Sequence, residues 1–421
     1  MSFFSLGLKS LRNRMFTTAL TVMSIALSTA LLLSVERTKR AAEDGFTQAI
    51  SQTDLIVGAR SGPINLILYT VFNMGSATNN ISWKTYEELR KNPSVEWTIP
   101  YSLGDGHRGF RVVATDKNFY EHYRFRGDRH VEFSQGQQGS GLWDVVIGSQ
   151  VAAKLQYKLG EKIIVAHGVT RGEAIQKHDD KPFQVTGILK PTGTALDTSL
   201  YISLLSMEAI HMDWQNGAAP TEKTRIAAEQ IQIGKIKVDQ ITSFFLRTKS
   251  RIDTLRLQRE INNYQTEPLL AIIPGVTLSE LWRGLGYMEQ ALKMISWMVV
   301  AVGLIAMLIA LVTGLNERRR EMAILRSIGA GPGRIVALMV FESSLLTLFG
   351  ILVGLFLELA SFSLLKDWLE SQFGLYLVGA ALTSTEGFYL LLTLSLGILI
   401  GLIPALRASS LALKDGLSVR V

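Results

Sequence analysis

The chain has 421 residues, 48% of them apolar and only 19% charged, with a net charge of +7 and no cysteine. Soluble domains carry about 25% charged residues, so the balance excludes a disordered or fibrous chain and argues against a wholly soluble one. Without cysteine there are no disulfides and no thiolate-bound zinc or iron–sulfur centres, and the modest charge, gathered beside the apolar segments, reads as orientation charge and not as a nucleic-acid surface.

Residues 1–16 form an N-terminal amphipathic segment with Lys9, Arg12 and Arg14. Thr17–Val35 follows as the first of four apolar stretches; the others are Met294–Leu315, Ile335–Leu357 and Gly387–Leu406. Each is close to the ~20 residues that cross a bilayer as a helix. The first exceeds a signal-peptide core and lacks a small-x-small cleavage site, so it reads as a retained span. Short basic loops stay in the cytoplasm. The loop 316–334 carries Arg318, Arg319, Arg320, Arg326 and Arg334 against Glu317 and Glu321, and the tail 407–421 carries Arg407, Lys414 and Arg420. The loop 358–386 has one base, Lys366, against Asp367, Glu370 and Glu386. The expected topology is cytoplasmic termini with 36–293 outside. Arg37, Lys39 and Arg40, just beyond the first span, run against it, and the 316–334 loop outweighs them.

The fold class is therefore a membrane protein of four transmembrane α-helices with a large α+β extracytoplasmic domain between the first two. Residues 36–50 and 278–293 are polar, helix-compatible and free of proline, and are expected to extend their spans as stalks. Between them, Thr53–Ala59 and Gly109–Thr115 read as strands, and Trp83–Lys91 as a helix capped by Ser82. Trp143–Gly148, Lys162–His167, Phe183–Leu189 and Ser199–Ser203 form a β-rich stretch. Phe244–Thr248, Ile252–Asn263 and Leu269–Ile273 restore a strand–helix–strand order. This order predicts an α+β core from 51–125 with 241–277, a β-rich insertion over 126–215 and a mobile excursion over 216–240.

Several motifs have two readings. Pro63–Met74 (PINLILYTVFNM) is too short to span; Leu66, Ile67, Tyr69 and Phe72 form either domain core or a patch touching the membrane surface or a hydrophobic cargo. Glu342 enters the third span, where a carboxylate is costly; helix packing or a buried hydrogen bond at a dimer seam explains it better than proton transfer. Gly329–Arg334 (GAGPGR) lacks the Lys-Ser/Thr of a phosphate loop and follows a helix, so it reads as a helix stop, and no GxxxxGK[ST] occurs elsewhere. None of the six histidines has metal-ligand spacing, no metal site is expected, and no nucleophile–base constellation suggests an enzyme. From Glu317 to Ile328 the chain reads as a helix with Met322, Leu325 and Ile328 on one apolar stripe, which suits a membrane surface or the groove of a partner.

The segment Leu315–Ile335 (LNERRREMAILRSIGAGPGRI) closely resembles the cytoplasmic coupling helix of the MacB/LolC/LolE/FtsX-like ABC transporter permeases. Leu8–Ile25 (LKSLRNRMFTTALTVMSI), 144–160 (DVVIGSQVAAKLQYKLG), 182–197 (PFQVTGILKPTGTALD), Phe341–Gly354 (FESSLLTLFGILVG) and Gly401–Ser409 (GLIPALRAS) resemble further parts of that family in the same order. The tail departs from the family's common Pro–Leu ending. The resemblance implies that Glu317, Arg318, Arg319, Arg320, Glu321, Met322, Leu325, Arg326, Ile328 and Gly329 engage an ATPase. It also implies a bacterial inner-membrane complex of two identical permease chains and two ABC ATPase subunits. ATP and Mg would be bound by the ATPase and no cofactor by this chain. A periplasmic adaptor or substrate protein and membrane lipids are the further partners implied. The expected role is transmission of ATP-driven motion to the external domain. Lipoprotein extraction, as by LolC and LolE, and control of an external hydrolase, as by FtsX, are the alternatives. A membrane sensor fits less well, since residues 1–16 and 407–421 leave no room for a signalling domain.

Overall fold

The structure, a computed structural model, describes residues 12, 14–168, 178–214, 220, 226–284, 286–327, 330–373 and 381–414; within these, the side chains of 316–327, 366–367, 369–373 and 408–414 are not described. In chain order, helix α1 (Met15–Thr47) precedes strand β1 (Leu55–Ala59), helices α2 (Pro63–Val71) and α3 (Trp83–Arg90), strands β2 (Val95–His107) and β3 (Phe110–Thr115) and helix α4 (Lys117–His122). Then come β4 (Phe133–Gly136), β5 (Asp144–Ile147), α5 (Ser149–Leu155), β6 (Lys162–Ile163), β7 (Ala166–His167), β8 (Phe183–Leu189), β9 (Ser199–Ser203) and α6 (Leu204–His211). The chain continues through β10 (Ser243–Thr248), α7 (Arg251–Asn262), β11 (Leu269–Ile272) and α8 (Pro274–Gly284), and ends on α9 (Gly286–Ser327), α10 (Pro332–Phe373) and α11 (Ser384–Lys414). Two units result: a helical one built on α1 to Arg40, α9, α10 and α11, and an α+β one built on Ala41–Leu285.

In the α+β unit the strands run in the order β11-β1-β10-β2-β3-β9-β5-β8-β4, with β7 added to β2 and β6 to β8. The long β2 joins the two halves. Its first part pairs with β10 (Thr98↔Leu246) and its last part with β3 (Leu103↔Val113). The expected boundary at 125/126 is therefore not a seam of the sheet: β3, assigned to the core, lies parallel to β9, assigned to the insertion, with Val112 opposite Leu200. Successive strand side chains point to opposite faces. Leu55 and Val57 enter one core while Ile56 enters the other; Phe244 and Leu246 divide from Phe245, and Val145 and Ile147 from Val146, in the same way. Both faces are covered, which is why these strands read as unbroken apolar runs.

Helix α2 overturns the reading of Leu66, Ile67, Tyr69 and Phe72 as a membrane or cargo contact. Leu66, Ile67 and Tyr69 are buried in the second core, and Phe72 stacks on Phe46 at 4.4 Å. The chain at β1 admits this packing because residue 58 is glycine: a Cβ there would meet Leu66 Cδ1 at 2.5 Å and the Tyr69 hydroxyl at 2.6 Å. The described part of the 216–240 segment is also packed, with Ile231 and Ile236 buried against Ala209.

Helix α4 is capped by Asp116, whose side chain accepts from Asn118 N at 3.0 Å. Burial pushes the Asp116 pKa up from 3.8 to about 6. A raised native pKa means that the folded state favours the neutral acid. The stabilisation is complete below about pH 4 and is lost as pH rises through 6. Asp116→Asn keeps the cap acceptor without the charge, so it should raise the melting temperature at pH 7.5 by more than at pH 4. Thermal unfolding followed by tryptophan fluorescence checks this; equal shifts at both pH values would refute it.

The helical unit contains four helices long and apolar enough to cross a membrane: Met15–Thr47, Gly286–Leu315, Pro332–Leu365 and Ser384–Arg407. In each, at most 39% of the most apolar window is buried, so most of that apolar surface faces outward and requires a nonaqueous surround. At 1.5 Å per residue the 42-residue α9 is about 63 Å long, twice the ~30 Å hydrocarbon core. The expected separate helix at 316–334 is thus continuous in backbone with the second span as far as Ser327. Pro332 begins α10, where a missing N–H costs nothing. Helix α10 also extends to Phe373, into what was expected as an external loop. At the other end, α1 runs unbroken through Arg40 to Thr47, and the described residues of the expected stalk 278–293 are helical, in α8 to Gly284 and in α9 from Gly286.

The bundle closes through small residues. Gly350 and Gly354 on α10 face Ile25 and Ala26 on α1; Gly397 and Gly401 on α11 face Thr347 and Ser343 on α10. Both pairs have GxxxG spacing, which places two gaps on one helix face and allows backbones to approach.

Candidate functional site

One end of the helical unit holds a network of buried charge. Arg37 on α1 is 5% exposed; its Nη1 lies 3.2 Å from Glu358 Oε2 on α10 and its Nε 3.2 Å from Glu386 Oε1 on α11. Arg40 Nη2 reaches the same Glu386 oxygen at 3.1 Å and Thr383 Oγ1 at 2.9 Å. The second Glu386 oxygen accepts from Thr383 N at 3.0 Å, and Glu386 N donates to Thr383 Oγ1 at 3.4 Å. The sequence Thr383-Ser384-Thr385-Glu386 is a capping box, so the carboxylate is fixed by its own helix before the arginines reach it. The Arg37 guanidinium also lies over the Phe362 ring at 5.6 Å. Beside this network Lys39 pairs with Glu289 on α9 at 2.7 Å, and Lys293 pairs with the same oxygen at 3.4 Å. All four long helices are thereby tied at one level.

These contacts explain the three bases that opposed the topology. Arg37, Lys39 and Arg40 are paired cations, neutralised by carboxylates on three other helices. Glu358 is 1% exposed. Sequence reasoning missed the network because its members lie up to 349 residues apart; the available signal was opposite charge at matching ends of different spans.

At the other end, Arg14 Nη1 donates to Gly314 O at 2.8 Å, holding α9 to the start of α1. Arg14, Thr17, Thr18 and Thr21 line a small cleft with Gly314 and Glu342, and Glu342 is 2% exposed. Three α9 turns continue beyond this level. Glu317, Arg318, Arg319, Arg320, Glu321, Met322, Leu325 and Arg326 stand on their helical backbone, with side chains outside the described set; Ile328 and Gly329 lie outside the described residues. Among the described side chains, Leu66, Ile67, Tyr69 and Phe72 are brought together at the second core, and Glu342 lies in the cleft.

The α+β unit brings together a set that sequence spacing did not reveal. Asp105, His167, His178 and His211 converge, each offering a ligand atom within 4.8 Å of the others. The expectation of no metal site rested on spacing alone. Here the four residues come from β2, β7, the approach to β8 and the end of α6, so no short motif records them.

Four lipid-length helices carrying a large folded domain in the loop after the first define a membrane-anchored permease-type protein. Residues 16–264 match the MacB-like periplasmic core domain, and residues 293–414 match the FtsX-like permease C-terminal domain. The chain belongs to the MacB/FtsX-like family of ABC transporter permeases, whose members are generally noncatalytic and work beside an ATPase. The periplasmic region of MacB from Actinobacillus actinomycetemcomitans is similar at 10% identity and a TM-score of 0.34, over 55% of this chain and 94% of that one. The extracellular domain of the noncanonic ABC-type transporter YknZ from Gram-positive bacteria is similar at 12% identity and a TM-score of 0.30, over 52% and 99%. No curated protein matches.

Proposed function

We propose that this chain is the permease subunit of a MacB-like ABC transporter that transmits ATP-driven motion of a separate ATPase to its extracytoplasmic domain. The observation that carries this reading is the occurrence of both family domains in one chain, in the order span, outer domain, three spans. Two permease chains, identical to each other, stand in the inner membrane with their termini in the cytoplasm, above two ATPase subunits. ATP and Mg belong to those subunits, since these 421 residues hold no phosphate loop. The substrate or an adaptor protein meets the outer domain. Helix continuity favours a lever: α9 carries the span and the basic segment on one rod, and α1 extends its span to Thr47. The Lys39–Glu289 pair ties these two rods together.

A lever needs its end held in the motor. Met322, Leu325 and Ile328 supply an apolar stripe and Arg318, Arg319 and Arg320 supply guanidinium forks for carboxylates. Burying one such apolar side chain contributes about 1.5–3 kcal/mol, so losing two weakens docking well over tenfold. Leu325→Asp with Ile328→Asp should release the ATPase during purification and leave the permease in the membrane. Arg319→Ala should be milder, because exposed ion pairs contribute little. Recovery of the ATPase with the double variant at the wild-type ratio would exclude docking through this segment.

A further inference from the structure

We infer that Asp105, His167, His178 and His211 form a closed binding site for one divalent transition-metal ion of the zinc type, built into the edge of the α+β unit. Zinc bonds of about 2.0–2.1 Å at tetrahedral angles put neighbouring ligand atoms about 3.3–3.4 Å apart. Asp105 Oδ1 lies 3.2 Å from His167 Nδ1 and 3.6 Å from His211 Nε2, and those two nitrogens are 3.4 Å apart. These three atoms therefore form one face of a tetrahedron of the size zinc requires. His178 Nε2 lies 3.3 Å from the other carboxylate oxygen, Asp105 Oδ2, and the ligand atoms of all four residues are within 4.8 Å of one another, so it is placed to take the fourth corner.

The hydrogen bonding at the site points the same way. Asp105 and His178 are 0% and 1% exposed, yet among the described residues both Asp105 oxygens and His178 Nε2 have no hydrogen-bond partner of acceptable geometry. Buried polar atoms left so are rare and costly, and a shared cation satisfies all of them at once. The tautomer of His211 is set from outside the cluster. Its Nδ1 lies 2.9 Å from Met207 O, a carbonyl that can only accept, so the ring proton resides there. In the neutral ring Nε2 then presents a lone pair to the Asp105 carboxylate and to His167. Two acceptors so placed repel unless a positive charge, a metal ion or a second ring proton, lies between them, and a backbone carbonyl behind the ring is the usual orienting partner of a metal-bound histidine.

The surroundings complete the cage. His211 ends α6, where the helix dipole favours a cation. His167 on β7 is in register with Asp105 on β2, and His178 N donates to Val165 O at 2.9 Å, fixing that side chain beside the same strand. The Trp214 ring stacks on His167 at 4.8 Å and lies 4.8 Å from His178, covering the two imidazoles. Lys181, itself fully buried, is held by Asp213 at 2.6 Å, so its charge is already matched. Three imidazoles and one carboxylate suit zinc, cobalt, nickel or copper and not magnesium or calcium, which require oxygen donors. With four protein ligands and no open position, the ion would clamp strands and helix together and would not catalyse.

The test uses the full chain in detergent, purified through a tag without histidine and stripped with EDTA. Titration with Zn2+ alone should give one ion per chain by equilibrium dialysis with elemental analysis. It should also raise the melting temperature, which Mg2+ and Ca2+ should not do. Co2+ should give the visible absorption of a tetrahedral site. His167→Ala removes a half-exposed side chain, so the fold should persist by circular dichroism. That variant and His211→Ala should lose at least about 10–100-fold in affinity, since even an outer partner of a ligand is worth that much. Asp105→Asn should do the same where it folds. Absence of one-to-one Zn2+ binding, an equal shift with Mg2+, or wild-type affinity in both histidine variants would overturn the site.

Discussion

Replacing Arg37 by leucine should destabilise the helical unit by about 3–5 kcal/mol, the cost of leaving a buried charge without its partner. The substitution leaves Glu358 and Glu386 at 1% and 0% exposure, facing an apolar side chain. Arg40 still reaches Glu386, so Glu358 bears most of the effect. Thermal unfolding of the detergent-solubilised protein checks the prediction. The sharper test is compensation. Adding Glu358→Gln to Arg37→Leu removes the orphaned charge and should restore most of the loss, because an ion pair exchanged as a whole for neutral groups is often neutral in stability. If the double variant melts no higher than the single one, the network is not what holds this end of the bundle. Lys39→Ala is the contrast: its pair with Glu289 is partly exposed and should contribute no more than about 1 kcal/mol.

The second large effect is expected at the seam between α10 and α11. Any Cβ at Gly401 collides with Ser343 Oγ, and any at Gly397 with Thr347 Oγ1. Both hydroxyls are already committed: Ser343 Oγ donates to Val340 O at 2.9 Å and Thr347 Oγ1 to Ser343 O at 2.8 Å. The side chains therefore cannot rotate aside without breaking a hydrogen bond in an apolar setting. Gly397→Leu with Gly401→Leu should force the helices apart, and overpacking of this kind costs about 1–3 kcal/mol per site, or more. The expected result is a permease that inserts but unfolds at lower temperature and is cut faster by protease. Gly387→Leu, where a Cβ meets nothing within 4 Å, is the control and should behave as wild type. Equal protease resistance of the double variant and the control would show that α11 does not pack through this face.

The sequence by itself determined the number and placement of the membrane helices, because about 20 consecutive apolar residues have no other stable use outside a large core. It also determined most strands of the outer domain and the Ser82 cap of α3, which is realised as a bond from Thr85 N at 3.3 Å. Local rules fix such features within a few residues of chain. Sheet order was beyond them. A strand as long as β2 can serve two half-sheets, and nothing in Val95–His107 says which partners its ends take. Nor could composition tell that Leu66, Ile67 and Tyr69 lie inward; an apolar nine-residue helix looks the same whether it covers a sheet or a membrane, and the space at Gly58 decides. The two charged assemblies show the limit most clearly. Arg37 and Glu386 are 349 residues apart, and Asp105 meets histidines that come 62, 73 and 106 residues later. Each looked like an ordinary surface group in its own segment. Only tertiary structure brings them together, and the burial of Arg37, Glu358 and Glu386 in one set and of Asp105 and His178 in the other turns isolated charges into a helix clamp and scattered imidazoles into a cage.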